Sequence, residues 1–339
     1  MRYKLLGRSG LRVSELALGT MTFGPQWGWG ASMDESRRIF DSYVEAGGNF
    51  VDTANRYTEG TAEEYVGDFI RHDRERFVVA TKYSLFNRKG DPNASGNHRK
   101  NMRQSLEASL GRLRTDYVDL LWVHAWDGTT PVEEVVRGLD DLVAAGKVLY
   151  VGISDTPAWI VSQAVTLADL RGWSRFVGIQ VQYSLLERSV ERDLLPMAEA
   201  LDLGVTVWGA LSSGILTGKY NLDPEAKGRA VRRGAVSERK LAVARAVVDV
   251  ARELGASPSM VAHAWARQKS RRIIPILGAT TVNQLQDSLA CLATRLDDAT
   301  MARLDAAAPI ELGFPHDFLA SAPIQELMFG GTGGMIERR

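Results

Sequence analysis

Asp52, Tyr57, Lys82 and His124 are residue types that together can move a proton. A lysine ammonium beside a phenol stabilises the phenolate, which is expected to draw the tyrosine pKa down from its reference of ~10. A tyrosine tuned in this way gives a proton to a carbonyl oxygen or takes one from an alcohol. His124 could hydrogen-bond the same oxygen and orient the substrate. A buried Lys82 needs a counter-charge, and Asp52 could supply it. Each residue alone has a plainer reading. Asp52 could cap a turn, Tyr57 pack under a loop, Lys82 snorkel to water and His124 satisfy a structural bond. The chemical reading needs a fold that brings all four together.

Such a fold is legible in the alternation of short apolar runs with helical patterns. Eight runs read as strands: 15–19, 49–52, 77–81, 118–124, 148–154, 176–180, 204–208 and 272–276. Several, such as Phe77-Val78-Val79-Ala80, are continuously apolar, as strands buried on both faces of a parallel sheet must be. Helical patterns fall over 34–46, 131–145, 157–170, 190–201, 237–254 and 281–292. Ser32 or Asp34 suits the start of the first, and Gly47-Gly48 its end. Eight strands interleaved with helices favour a (β/α)8 TIM barrel over an open doubly wound sheet. Residues 3–13 read as an N-terminal β-hairpin, with Gly10 at its turn, that could plug the bottom of the barrel. We expect one domain over 1–339, loop insertions near 88–98 and 221–236, and a tail with few periodic features from about 309.

In a parallel barrel, reactive side chains sit at the C-terminal ends of the strands. The second strand ends in Asp52 with Tyr57 shortly after, the third in Lys82 and the fourth in His124. The run Phe50-Val51-Asp52-Thr53-Ala54-Asn55-Arg56-Tyr57 resembles the signature of the aldo-keto reductase family. Ala80-Thr81-Lys82 and Leu121-Trp122-Val123-His124 are similar to its lysine and histidine segments, and the stretches around Gly7–Ser14 and Leu18–Gly24 to its opening. The likeness runs from about residue 3 to 315 and is to the long-chain bacterial type, related to potassium-channel β subunits. It implies a (β/α)8 barrel that passes a hydride between a nicotinamide cofactor and a carbonyl or alcohol. In that scheme Tyr57 is the general acid/base, Lys82 and Asp52 tune it, and His124 orients the substrate.

No Gly-x-Gly-x-x-Gly follows the first strand, so the cofactor would lie across the barrel mouth rather than in a Rossmann crevice. The resemblance implies contacts from Gly19, Thr20, Met21 and Asp52. Ser154, Asp155 and Gln180 would hold the carboxamide, although Asp155 stands where the family usually has Asn. Trp208, with Gly209, would stack on the nicotinamide. Leu211, Ser213, Gly214, Leu216, Gly218 and Lys219 resemble a pyrophosphate loop. Gly278, Thr280, Gln284 and Ser288 resemble the adenosine segment. Many relatives carry a basic residue at position 280, and a neutral hydroxyl binds a 2′-phosphate less strongly than a guanidinium fork. NADP(H) is therefore the family expectation, with NAD(H) an alternative.

Phe23, Trp27, Trp29, Tyr83, Phe86 and Trp126 could wall a pocket for an aldehyde, ketone or keto-sugar. Two rival readings differ in class. A cofactor-bound redox sensor or regulatory subunit would show little turnover, and a lyase using Lys82 as a Schiff base would need no nicotinamide. Composition narrows the partners. Lysine plus arginine equals aspartate plus glutamate, at 41 each, which argues against nucleic acid or an anionic membrane surface. The single cysteine, Cys291, excludes an internal disulfide or a cysteine-based zinc cage and reads as core packing. No apolar run approaches the ~18 residues that span a bilayer, and the N-terminus lacks a cleavage signal, so a cytoplasmic location is expected. Oligomeric state has no signature in the sequence.

Overall fold

A computed structural model describes residues 1–223, 225–232 and 234–337. The N-terminal hairpin pairs β1 (Tyr3–Leu5) antiparallel with β2 (Arg12–Ser14). Eight further strands close into a parallel barrel in chain order: β3 (Ala17–Gly19), β4 (Phe50–Asp52), β5 (Val78–Tyr83), β6 (Val118–Val123), β7 (Val148–Ser154), β8 (Phe176–Gln182), β9 (Gly204–Trp208) and β10 (Ile273–Gly278). Each coincides with an apolar run read from the sequence, and the strand positions are almost wholly buried, as closure by surrounding helices requires.

The helices begin and end where local chemistry directs. Ser32 accepts from the Glu35 amide to cap Met33–Glu45, and Gly47, at φ +86°, follows its end. Four further helices, Thr61–Ile70, Arg99–Leu113, Pro258–Gln268 and Asp298–Ala307, lie beyond the patterns read above. The tail, expected to carry few periodic features, holds two exposed short helices, His316–Ala320 and Ala322–Phe329. The expected loop 221–236 carries a helical turn at Arg229–Arg232, and its residues 224 and 233 lie outside the described set.

The barrel interior is filled from below. Leu6, beside the hairpin, packs with Val13, Ala17, Phe50, Val78, Leu120, Trp122 and Ile274. The hairpin turn depends on Gly7 rather than Gly10: Gly7 has φ +55°, and a Cβ there would lie 2.1 Å from the Val177 carbonyl oxygen. Higher up, Trp122 closes the centre. A Cβ on Gly152 would lie 2.3 Å from its ring, so glycine on β7 makes room for the indole. The other face of each strand packs outward on the helices in a second, larger apolar layer. Cys291 is buried in that layer, and burial pushes its thiol up to about 12.

Candidate active site

Side chains alternate along a strand, so the residues two positions beyond an inward core residue reach the mouth of the barrel. Phe50 leads to Asp52, Ala80 to Lys82, and Trp122 to His124. The three neighbouring strands β4, β5 and β6 therefore deliver a carboxylate, an ammonium and an imidazole to one place. The same period takes Gly152 to Ser154, Gly178 to Gln180 and Thr206 to Trp208. Tyr57 follows β4 at the start of a short 3-10 turn, Tyr57–Gly60.

Lys82 and Asp52 form an ion pair inside protein. Their side chains are 0% and 3% exposed, and Nζ donates to Asp52 Oδ2 at 2.5 Å. Nζ also donates to the Thr53 carbonyl at 2.8 Å, while Gln180 Nε2 donates to Asp52 Oδ1 at 2.9 Å. Both carboxylate oxygens are thus engaged, the condition under which a buried pair is tolerated. Gln180, expected on a carboxamide, therefore has half its amide committed to Asp52. Nζ lies 4.8 Å from the centre of the Tyr57 ring. Burial nevertheless outweighs this ammonium and pushes the phenol above its ordinary pKa, correcting the downward shift expected from the sequence. The His124 ring meets the Tyr57 ring edge-on, with centres 6.0 Å apart. Burial, and secondarily the Lys82 charge, drives the imidazole down to about 3, so it is neutral at physiological pH, and its Nδ1 is buried without a partner.

The other expected residues divide into those at the mouth and those elsewhere. Trp27 and Trp29 are partly exposed with ring centres 5.7 Å apart, and Trp27 Nε1 donates to Glu59. Phe86 is exposed beneath the Arg56 guanidinium, and Trp126 is half-buried. Two aromatics correct the expectation. Phe23 is wholly buried and packs edge-on against Phe69. Tyr83 is also wholly buried and donates to the Asn97 carbonyl; one step beyond Lys82, it faces the outer helices instead of the pocket. Sequence reading passed over three neighbours. Glu63 is a buried carboxylate joined to Thr81 and Arg112 behind Lys82. Trp122 floors the mouth. Arg229 stacks on Trp29 at 5.0 Å, with Nη2 3.9 Å from Met21 Sδ. Period-two counting from Leu120 would have found Trp122; the other two rest on contacts distant in sequence.

A nicotinamide dinucleotide fits the later strand ends. Ser212, Ser213 and Gly214 have consecutive φ of +47°, +58° and +87°, a left-handed run that turns backbone N–H groups toward one side and suits a pyrophosphate. The Lys219 side chain runs against Gly214 and adds positive charge. Gly209 and Gly218 also have positive φ, while Leu211 and Leu216 anchor the loop in the core. Trp208 is half-exposed at the end of β9, and its Nε1 donates to Asp155 Oδ1 at 3.3 Å. Asp155 keeps solvent contact at φ +44°, and the surrounding protein raises its carboxyl above the ordinary value. Gly19 ends β3 hard against Ile276, and Thr20 Oγ1 donates to the Asp52 carbonyl. Beyond Gly278, Thr280 donates through both its amide and hydroxyl to Gln284 Oε1. Ser288 is buried on the inner side of its helix.

The profile of the Aldo/keto reductase family matches residues 15–309, spanning the whole barrel. The chain belongs to the aldo/keto reductase family. It is 38% identical over 329 residues to norsolorinic acid reductase stcV of Emericella nidulans, covering 94% of this chain and 84% of that protein. It is also 38% identical to the aryl-alcohol dehydrogenase [NADP(+)] of Phanerodontia chrysosporium, covering 91% of this chain and 86% of that one. The aldo-keto reductase ausK of Emericella nidulans is 36% identical, over 95% and 85%. Family and relatives make this chain a carbonyl/alcohol oxidoreductase and support NADP(H) as its cofactor. Among the described residues, no helix is long and apolar enough to cross a membrane, and no group of three or more His, Cys, Asp or Glu could hold a metal ion.

Proposed function

We propose that this enzyme interconverts an aromatic aldehyde or ketone and its alcohol, with Tyr57 as general acid/base. The carrying observation is the wholly buried Lys82–Asp52 pair packed under the Tyr57 ring. Bound at the mouth, a nicotinamide supplies or accepts the hydride. The phenol, with an ordinary pKa of ~10 that burial raises, carries its proton at neutral pH and so enters reduction as a donor. When the Tyr57 hydroxyl releases that proton to the substrate oxygen, the Lys82 ammonium stabilises the phenolate left behind. Asp52 holds Lys82 in place and opposes the downward pull of burial on its pKa, so the ammonium stays charged. His124, neutral and set edge-on to Tyr57, donates a hydrogen bond to the same oxygen but is too weak a base to act as an imidazolium acid. An aromatic substrate suits the Trp27–Trp29 pair and agrees with the similarity to an aryl-alcohol dehydrogenase.

Ser154, Asp155, Gln180 and Trp208 would hold the nicotinamide end, the loop 211–219 the pyrophosphate, and Thr280 with Gln284 the adenosine end. NADP(H) is the primary cofactor in this reading, and the uncharged Thr280 leaves room for NAD(H). Tyr57→Phe tests the proposal. Reduction of benzaldehyde with NADPH should fall by ~10²–10⁴-fold while NADPH affinity, followed by fluorescence quenching, stays within about twofold. Turnover close to that of the parent would remove Tyr57 from its role.

A further inference from the structure

At the end of the barrel opposite the mouth, the hairpin and the segments leading into β9 and β10 border an open cavity of about 960 Å³. Six cations line it, Arg2, Lys4, Arg267, Arg271, Arg272 and Arg295, against two carboxylates, Glu15 and Asp202. In a chain with no net charge this is a marked local excess. Both carboxylates are already engaged. Glu15 bonds Arg267 at 2.9 Å and Arg2 at 3.4 Å, and Asp202 pairs with Arg272. Arg271 and Arg295 are exposed and have no ion pair among the described residues.

The inner cations are under-satisfied. Among the described residues, Lys4 Nζ bonds only the Ile273 carbonyl, at 2.8 Å. Burial holds this ammonium down to about 8, with Glu15 opposing that fall and Arg267 and Arg2 adding to it. The Arg267 side chain is one-tenth exposed. Its Nη1 and Nη2 are taken by Glu15 and the Cys291 carbonyl, yet its Nε is buried without a partner. Leu5 and Leu292 give the same cavity an apolar side. Recessed positive charge, an apolar wall and a volume of small-molecule size describe a ligand site better than a solvated face.

We propose that this cavity is a second binding site, for a phosphorylated small molecule. Its phosphate sits between Lys4, Arg267, Arg271 and Arg295, and its organic part lies against Leu5 and Leu292. Phosphate suits the cluster better than a single carboxylate, because a dianion with three acceptor oxygens meets several guanidinium forks at once. A flat macromolecular surface would not reach Lys4 and Arg267 below the rim.

The test uses the full chain saturated with NADP⁺, which closes the cofactor's own phosphate sites. Isothermal titration with phenyl phosphate should show one equivalent bound, and benzoate, with a single carboxylate, should bind more weakly. Reversing the two exposed cations, Arg271→Glu with Arg295→Glu, should weaken phenyl phosphate by about tenfold or more without changing melting temperature or benzaldehyde turnover. The control Arg103→Glu, on an outer helix, should change nothing. No saturable binding up to about 10 mM, or equal affinity in the double variant, overturns the site. Benzoate binding as tightly as phenyl phosphate overturns the assignment to phosphates.

Discussion

Replacing Lys82 by methionine keeps the length of the side chain and deletes its charge. In the parent, the ammonium contacts Asp52 Oδ2 at 2.5 Å and the Thr53 carbonyl at 2.8 Å, with no exposure to water. The variant leaves the Asp52 carboxylate buried with only the Gln180 amide as partner. Breaking one side of such a pair costs ~3–5 kcal/mol. Unfolding entropy near ~2.1 cal/mol/K per residue gives about 0.7 kcal/mol/K for 339 residues, so the melting temperature should fall by about 4–7 °C. Activity should fall further than that, by ~10²–10⁴-fold, because the phenolate loses the ammonium beneath its ring. The double variant Lys82→Met, Asp52→Asn separates the two effects. An asparagine oxygen still accepts from Gln180 and buries no charge, so at least half the lost stability should return while turnover stays low. Differential scanning calorimetry and NADPH-linked benzaldehyde reduction read the two quantities independently. A single variant as stable as the parent, or a double variant with restored turnover, would refute the reasoning.

Three further outcomes follow from the same geometry. Thr280→Arg should raise the ratio of NADPH to NADH kcat/KM by about 10- to 100-fold, since a charge-assisted bond is worth ~1.5–3 kcal/mol; an unmoved ratio would place the 2′-phosphate elsewhere. Asp155→Asn keeps an acceptor for Trp208 Nε1 but removes a charge from the mouth. It should weaken NADP⁺ about fivefold relative to NADPH in fluorescence titrations, from about 1 kcal/mol of attraction to the oxidised ring, and equal changes for both would show that Asp155 acts only through Trp208. His263 is buried and held down to about 4 by desolvation, with Asp287 opposing. Its folded pKa lies below the unfolded ~6.5, so the unfolded chain binds the extra proton and stability is lost as pH falls from about 6.5 to 4, by up to about 3 kcal/mol. His263→Leu should flatten that limb of a urea-denaturation series; an unchanged acid slope would assign it to other groups.

What the sequence conveyed, and what it withheld, follows from how far apart the deciding residues lie. Every barrel strand was visible, because burial on both faces demands consecutive apolar residues, and Phe77-Val78-Val79-Ala80 meets that demand within four positions. The ion pair was also within reach: Asp52 and Lys82 each end a run of this kind, and adjacent parallel strands bring such ends together. Tyr83 was misplaced through neglect of the same period, since a residue next to an inward lysine must point outward. Phe23 was misplaced because proximity to a strand end says nothing of direction once the chain enters a loop. The helices 61–70, 99–113, 258–268 and 298–307 went unread although their cores are apolar, and the positions of Glu63 and Arg229 depend on partners 18 and 200 residues away. The Tyr57 shift has the same origin. Charge identity is written in the sequence, whereas desolvation depends on how closely the rest of the barrel surrounds the phenol, and here it is the larger influence.

The two faces of the barrel then use one physical rule with opposite results. At the mouth, Lys82 is buried against a carboxylate whose two oxygens are both engaged, and its pKa stays above the ordinary value. At the base, Lys4 is buried against a carbonyl, with Glu15 shared among neighbouring arginines, and its pKa falls to about 8. A buried ammonium with its own counter-ion is a finished structure and serves to fix a neighbour, here Tyr57. One without its own counter-ion remains open to an anion from solution, which is why the base of this barrel, rather than its charge-balanced surface, is where a second ligand should be sought.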